Sequence, residues 1–277
     1  MNYTEVYFKA APELVEILLA ELGDLPYDSF EESADGLKAY VPEDQYDEAP
    51  IRELVAQYEG LGTITYQVQT IPKVNWNEEW EKNFHPIAIA DQIYVRADFH
   101  EAKPAVAHEI IIVPKMSFGT GHHDTTSQML QLQLNLDHKD KAVLDAGTGT
   151  GILAIMADQK GAGKILANDI DDWCIDNSRE NFALNNCREI TLERGTVSVF
   201  EGEQVDILLA NINKNVLLEE IPQYAKLVKA GGTLLLSGFY EADIPDLETK
   251  LKHSGFNIEQ RSVQNRWAAL QCAKAVK

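Results

Sequence analysis

Four short stretches of this 277-residue chain hold residue types that can do chemistry together. One is Val143-Leu144-Asp145-Ala146-Gly147-Thr148-Gly149-Thr150-Gly151, a strand pattern running into a glycine-rich turn that opens a helix. In an open parallel sheet, ligands bind beyond the carboxyl ends of the strands, and glycine lets a ligand come close to the backbone. A dinucleotide fingerprint starting at Gly147 needs glycine at position 152, where this chain has Ile152. The spacing present is an acid followed by Gly147, Gly149 and Gly151. It suits S-adenosylmethionine, which lacks a pyrophosphate but carries an amino group that Asp145 can approach directly or through water.

The next stretch, Asn168-Asp169-Ile170-Asp171, ends the following strand. Asp169 stands 22 positions after Gly147, close to the ~20-residue spacing at which an acid meets ribose hydroxyls. Asp169 and Ile170 are therefore assigned to the cofactor, while Asp171 or Asp172 suits a helix N-cap. A third stretch, Leu209-Ala210-Asn211-Ile212-Asn213, follows a later strand. The Asn211 amide offers an acceptor and donors, so it can hold an amine N–H while leaving the nitrogen lone pair free for a methyl group. Asn213 fits the cap of the following helix better than Asn211 does. The fourth is Ser117-Phe118-Gly119-Thr120-Gly121-His122-His123-Asp124-Thr125-Thr126. Adjacent residues project apart and no further ligand sits at helical spacing, so His122 and His123 are not read as a metal pair. Gly119 and Gly121 suggest a mobile loop, and the N–H groups at Asp124, Thr125 and Thr126 can meet a carboxylate such as the methionine end of the cofactor.

The elements that must position these residues follow from periodicity. Strand patterns cover Ala142–Ala146, Lys164–Asn168, Ile190–Glu193, Val205–Ala210 and Thr233–Ser237. Helix patterns at Gly151–Gln159, Asp172–Asn185 and Val216–Val228 lie between most of them. That alternation predicts a parallel, doubly wound α/β sheet. After a further helix at Asp243–His253, Phe256–Val263 and Arg266–Ala273 read as a closing β-hairpin about Gln264-Asn265, a feature of one large methyltransferase class. Upstream, β-rich runs at Gln92–Phe99 and His108–Val113 precede a helix from Thr125 to Leu136. The first 72 residues read βαββαβ: Tyr3–Ala10, Pro12–Leu22, Ser29–Glu32, Leu37–Val41 after a turn at Asp35-Gly36, Ile51–Tyr58 and Thr63–Ile71. This is the ferredoxin-like order. Trp76, Trp80 and Phe84, four apart, share a helical face and predict a linker helix over 73–86 between this small α+β domain and a catalytic domain over 87–277.

Composition narrows the class. With 45% hydrophobic and 25% charged residues the chain is an ordinary globular one. No apolar run approaches the ~20 residues that span a bilayer, and the start has no signal-peptide pattern. The three cysteines are too scattered for a disulfide framework or zinc site. A cytoplasmic location is expected. The 44 acids and 24 bases give a net charge of −20, the wrong sign for reading nucleic acid directly. Residues 1–72 hold 15 acids and three bases, Lys9, Lys38 and Arg52. That excess suits solubility, or a docking face for a basic protein.

Taken together and in this order, Trp76…Trp80…Phe84-His85-Pro86, FGTGHHDTT, LDAGTGTGILAI, NDID, LLANIN, the strand Gly231–Gly238 and Arg266-Trp267 resemble the PrmA family. These are methyltransferases of a large-subunit ribosomal protein, protein eleven. The resemblance covers nearly the whole chain. It implies a small substrate-recognition domain before a class I Rossmann-like methyltransferase domain, and cofactor contacts at Thr126, Gly147, Asp169 and Asn211. It also implies transfer of methyl groups to lysine side chains, an N-terminal α-amine or both, on a basic ribosomal protein, free or on the ribosome. The chain departs from the family pattern at Asp124, Thr148 and the Asn213-Lys214-Asn215 run. Other readings are a small-molecule acceptor, a nucleic-acid amine and a cofactor-binding adaptor without activity. No side chain in the motifs is a strong base, so Asn211 and neighbouring carbonyls are expected to orient the acceptor.

Overall fold

The computed structural model describes residues 2–33, 35–71, 84–103, 105–115 and 117–276. The chain divides into two units, residues 1–83 and 84–277. The first unit contains β1 (Tyr3–Lys9), α1 (Pro12–Leu22), β2 (Ser29–Ser33), β3 (Gly36–Pro42), α2 (Ala49–Tyr58) and β4 (Thr65–Ile71). Its sheet runs β2-β3-β1-β4 with every neighbouring pair antiparallel, the order of a split βαβ unit. Pro12 opens α1 where an N–H would have no helical partner. Leu14, Leu18 and Leu22 then fall on one face and bury against Val6, Phe8, Leu37 and Ala39. The β2–β3 turn closes before Gly36, which is already paired with Lys9 and Ser33, so Asp35-Gly36 is not itself the turn. On the opposite face of the sheet, Tyr3 and Tyr40 donate to Asp28 and Glu31 at 2.9 and 3.0 Å, and Tyr7 donates to Asp35. Most of the helix expected over 73–86, including Trp76 and Trp80, lies outside the described residues.

The second unit begins with a small sheet of β5 (Ile87–Ile89), β6 (Ile93–Arg96) and β7 (His108–Ile111), in that order, followed by α3 (Asp124–Leu134). β5 was not legible in the sequence because three residues show no period. Next come β8 (Ala142–Ala146), α4 (Ile152–Gln159), β9 (Lys164–Asp169), α5 (Asp172–Leu184), β10 (Ile190–Arg194), β11 (Val205–Asn211), α6 (Lys214–Leu227) and β12 (Val228–Tyr240). The chain closes with α7 (Ile244–His253), β13 (Phe256–Gln264) and β14 (Trp267–Lys274). The large sheet runs β10-β9-β8-β11-β12-β14-β13. Its first five strands are parallel, and β14 is antiparallel to both its neighbours. This is the Rossmann-like methyltransferase core with its closing hairpin. Both faces are covered. Leu208 and Ala210 of β11 pack toward α6 and α7, and Ile207 and Leu209 toward α3 and α4. The hairpin turn is Asn265-Arg266, both at positive φ (48° and 70°), one residue beyond the expected Gln264-Asn265. A two-residue turn of that hand matches the twist of the flanking strands.

The order in which strands are added reverses between the parallel neighbours β8 and β11. β9 and β10 lie on one side of β8, and β11 lies on the other. Ligands bind beyond the carboxyl ends of strands at such a switch point, and Asp145 and Asn211 stand at the ends of those two strands.

Two side-chain devices fix the approach to this point. Asn177 and Asn181 of α5 and Asn185 at its C-cap, four apart, grip the chain leaving β7. Asn185 Oδ1 accepts from Ile111 N at 2.8 Å and its Nδ2 donates to Ile111 O at 2.6 Å. Asn181 accepts from Val113 N and donates to Thr150 O, and Asn177 donates to Val113 O. At the other end of α3, Lys160 Nζ donates to the carbonyls of Gln133 and Leu134 at 2.7 and 2.6 Å. Beside it, His138 is 1% exposed. Burial, opposed by the Leu136 carbonyl and helped by the charges of Lys160 and Lys141, pushes its pKa down from 6.5 to about 4. The folded protein therefore keeps His138 neutral while the unfolded chain protonates it below 6.5. Stability is intact above that pH and falls by roughly 3 kcal/mol as pH drops toward 4. In denaturant titrations at pH 7 and 4.5, His138→Gln should lose less stability than the parent chain; equal losses would refute this assignment.

Candidate functional site

The glycine-rich turn is held before any ligand arrives. Gly147 and Gly149 sit at φ of +69° and +58°. A Cβ on Gly147 would lie 2.4 Å from Ile212 Cγ2, and one on Gly149 2.4 Å from the Phe118 carbonyl oxygen. Only glycine fits either place. Thr150 N donates to Phe118 O at 3.0 Å, Thr150 Oγ1 to Gly119 O at 2.6 Å, and Ser178 Oγ to Gly149 O at 2.8 Å. The Phe118-Gly119 loop and the glycine-rich turn are thus one hydrogen-bonded body.

A cavity of about 430 Å³ opens over this turn, within the usual range for cofactor sites. Gly147, Gly149, Asp169, Ile170 and Asn211 all line it. Asp169 Oδ2 accepts from Gly149 N at 2.9 Å and Oδ1 from Asp171 N at 3.1 Å. Each oxygen thus accepts one backbone N–H, and a carboxylate oxygen has room for a further donor. Ile170 beside it is 67% exposed, an apolar surface at the cavity wall. Asp171 caps α5 by accepting from Trp173 N at 2.8 Å, and Asn213 caps α6 by accepting from Val216 N at 3.2 Å.

The other expected residues stand behind the lining. Asp145 is 1% exposed. Its Oδ2 accepts from Thr148 Oγ1 at 2.7 Å and Ala154 N at 3.2 Å, tying the turn to α4. Burial pushes its pKa up to about 7, against the pull of those two donors, and the nearby Asp169 charge adds to the rise. Its Oδ1 has no partner among the described residues. Gly151 is the N-cap of α4. Thr126 is fully buried, and its Oγ1 accepts from Asn211 Nδ2 at 3.2 Å. That bond fixes the Asn211 amide and leaves its Oδ1 buried, with no partner among the described residues. One of the N–H groups at the start of α3, that of Thr125, is already taken by His123 Nδ1 at 3.3 Å. The two histidines face different neighbours. His122 Nε2–H donates to the His85 carbonyl at 2.8 Å, whereas His123 lies against Phe118 and Trp267.

Sequence reasoning missed several lining residues: Cys174, Thr196, Glu220, Gly238 and Trp267. Thr196 was accessible in principle, since it follows the carboxyl end of β10, where the sheet rule places ligands. Glu220 is a buried carboxylate that accepts from Tyr224 OH at 2.7 Å. The Cys174 thiol is pushed up to about 11 by burial, the Asp169 charge adding to this, so it is protonated at neutral pH and no nucleophile.

S-adenosylmethionine fits these residues. A carboxylate that can accept from hydroxyl groups such as those of a ribose lines the cavity, an exposed isoleucine adjoins it, and an amide whose oxygen has no partner among the described residues stands at the far strand. Comparison with known proteins agrees with this reading. The family model described as Ribosomal protein L11 methyltransferase (PrmA) matches residues 19–275. The ribosomal protein L11 methyltransferase of Phocaeicola vulgatus is 42% identical over 277 residues, covering 98% of this chain and 99% of that one. That of Porphyromonas gingivalis is 44% identical over 259 residues, covering 92% and 89%. A crystal structure of a ribosomal protein L11 methylase from Lactobacillus delbrueckii subsp. bulgaricus superposes with a TM-score of 0.65 at 29% identity, covering 70% of this chain and all of that one. With a matched family model spanning most of its length, this chain belongs to the ribosomal protein L11 methyltransferase (PrmA) family.

Proposed function

We propose that this enzyme methylates amines of ribosomal protein L11, lysine side chains or the N-terminal α-amine, with S-adenosylmethionine as donor. The observation that carries the reading is Asn211, clamped by Thr126 at the switch point with its Oδ1 unpartnered among the described residues. A buried acceptor without a donor costs about 1–3 kcal/mol, so its retention at the cavity wall suits a donor that arrives with the substrate. An amine N–H is such a donor. Bound in the cavity, S-adenosylmethionine supplies a methyl group on a positively charged sulfur.

The chain's own residues then have three tasks. Asp169 and the glycine-rich turn fix the cofactor. Asn211 Oδ1 accepts an amine N–H and leaves the nitrogen lone pair in line with the methyl group. The apolar walls disfavour the charged ammonium, so the amine is held neutral. An amide does not take up a proton at these pH values, so the amine loses its proton to solvent before docking.

Residues 1–72, with 15 acids and three bases, serve in this reading as a docking surface for a basic face of L11. No helix among the described residues is long and apolar enough to cross a membrane. Incubation with labelled cofactor and either free L11 or large ribosomal subunits tests the proposal. Label on L11 is expected, and its absence from both would refute it. The KM for L11 should rise several-fold between ~50 and 300 mM salt, because exposed complementary charges are screened beyond ~8–10 Å. A salt-independent KM would return the acids to solubility alone.

A further inference from the structure

Two buried acceptors in the cavity wall have no task in the scheme above. Asn168 is 3% exposed and lines the cavity one residue before Asp169. Its Nδ2 donates to the Gly195 carbonyl at 2.9 Å, and its Oδ1 has no partner among the described residues. Glu220 of α6 is 8% exposed and lines the same cavity. Its Oε2 accepts from Tyr224 OH at 2.7 Å, which leaves Oε1 for another donor.

The two stand on one side of the sheet. Alternation along β9 puts Asn168 on the face of Leu166, and Leu166 packs in one cluster with Val197, Leu217, Ile221 and Tyr224. Glu220 lies one turn before Tyr224 on that helix. Thr196, next after Gly195, lines the cavity too, and its hydroxyl pairs with Ser198 Oγ at 2.7 Å. The side-chain donors of these residues are thus spent within the protein, and acceptors remain. Core packing does not explain them. The Tyr224 hydroxyl needs one acceptor, which a neutral amide would supply, and a buried acceptor left unpaired is destabilising.

We infer that Asn168 and Glu220 form an acceptor pair that selects the base of the methyl donor, taking the two N–H groups of the adenine 6-amino group. The inference concerns the cofactor alone and does not depend on the methylation of L11. The order of residues supports it. Asn168, Asp169 and Ile170 are consecutive, so an orphaned acceptor, an acid suited to ribose hydroxyls and an exposed apolar side chain suited to a base face follow one another at the end of β9. The exocyclic nitrogen of adenine offers two hydrogens. A base with an oxo group in that place sets a third acceptor against two, and rejection then comes from repulsion and from groups left unpaired.

Calorimetry on the full chain with S-adenosylhomocysteine and its 6-oxo analogue S-inosylhomocysteine tests this without any acceptor protein. The parent should prefer the adenosyl compound by about 100-fold or more, because a site built to bond an N–H strongly rejects a ligand that lacks it. Glu220→Gln keeps an oxygen for Tyr224 and offers the cavity an N–H, so it should tighten the inosyl compound and cut the preference by at least about tenfold. Asn168→Val should weaken the adenosyl compound by about threefold or more without weakening the inosyl one. Equal affinity of the parent for both compounds, or a preference that neither variant changes, would overturn the pair. A parallel loss of both ligands would make the two residues structural only and overturn it as well. If the parent binds neither compound, the cofactor assignment fails and the pair with it. If it shows the preference but transfers no label to L11, the functional proposal alone fails.

Discussion

Asp169→Ala is expected to raise the dissociation constant for S-adenosylmethionine by at least about 100-fold. The carboxylate stands at the end of β9, accepts only two backbone N–H groups and lines the cavity. If Asp169 holds the ribose as proposed, removing it deletes both acceptors for the ribose hydroxyls. Hydrogen bonds to charged groups contribute about 1.5–3 kcal/mol each, so two of them set a loss of roughly 10²–10⁴-fold. Asp169→Asn separates the two duties of the side chain. It retains an oxygen for Gly149 N but replaces one acceptor with a donor, so affinity should fall while the turn keeps its shape. Thermal unfolding checks that the fold survives, and calorimetry measures binding. Unchanged affinity in Asp169→Ala would end the ribose assignment.

Asn211→Ala should act on the other half of the reaction. Turnover of the cofactor-saturated enzyme is expected to fall about 100-fold, the scale on which small misplacement of a reacting group costs rate, with cofactor affinity held within about threefold. Asn211→Asp sharpens the test. A carboxylate there would stabilise the protonated amine, so turnover should remain low even though an acceptor oxygen is present. Collapse of cofactor affinity with normal turnover at saturation would make Asn211 a cofactor residue instead of an acceptor-orienting one.

Much of the fold was legible because its signals are local. The spacing of Leu14, Leu18 and Leu22 gave α1, and the run Val143–Ala146 into glycines gave β8 and its turn. β12 is longer than expected, Val228–Tyr240 instead of Thr233–Ser237, because Gly231-Gly232 reads as a break while the ladder carries on around it. The hairpin turn fell one residue late because an arginine at positive φ leaves no mark in sequence. At the site, motif order located the wall but not the assignment of atoms. Spacing cannot tell that one Asp145 oxygen is spent on Thr148 and Ala154, or that Thr126 supports Asn211. The contact between His123 and Trp267 was hidden for a related reason: the two meet only when the last strand returns beside α3.

The asparagines of α5 bear on solubility as well as on the site. β7 borders its three-stranded sheet, and a bare border strand is a template on which another chain can add itself. Natural proteins commonly blunt such borders with charges, prolines or bulges. Here the N–H and C=O of both Ile111 and Val113 are already engaged by amide side chains of the same chain. Side chains thus complete the ladder that a foreign strand would otherwise extend. At Ile111 and Val113 the border is thereby closed to intermolecular β-pairing, with the N–H and C=O of both residues satisfied within the chain.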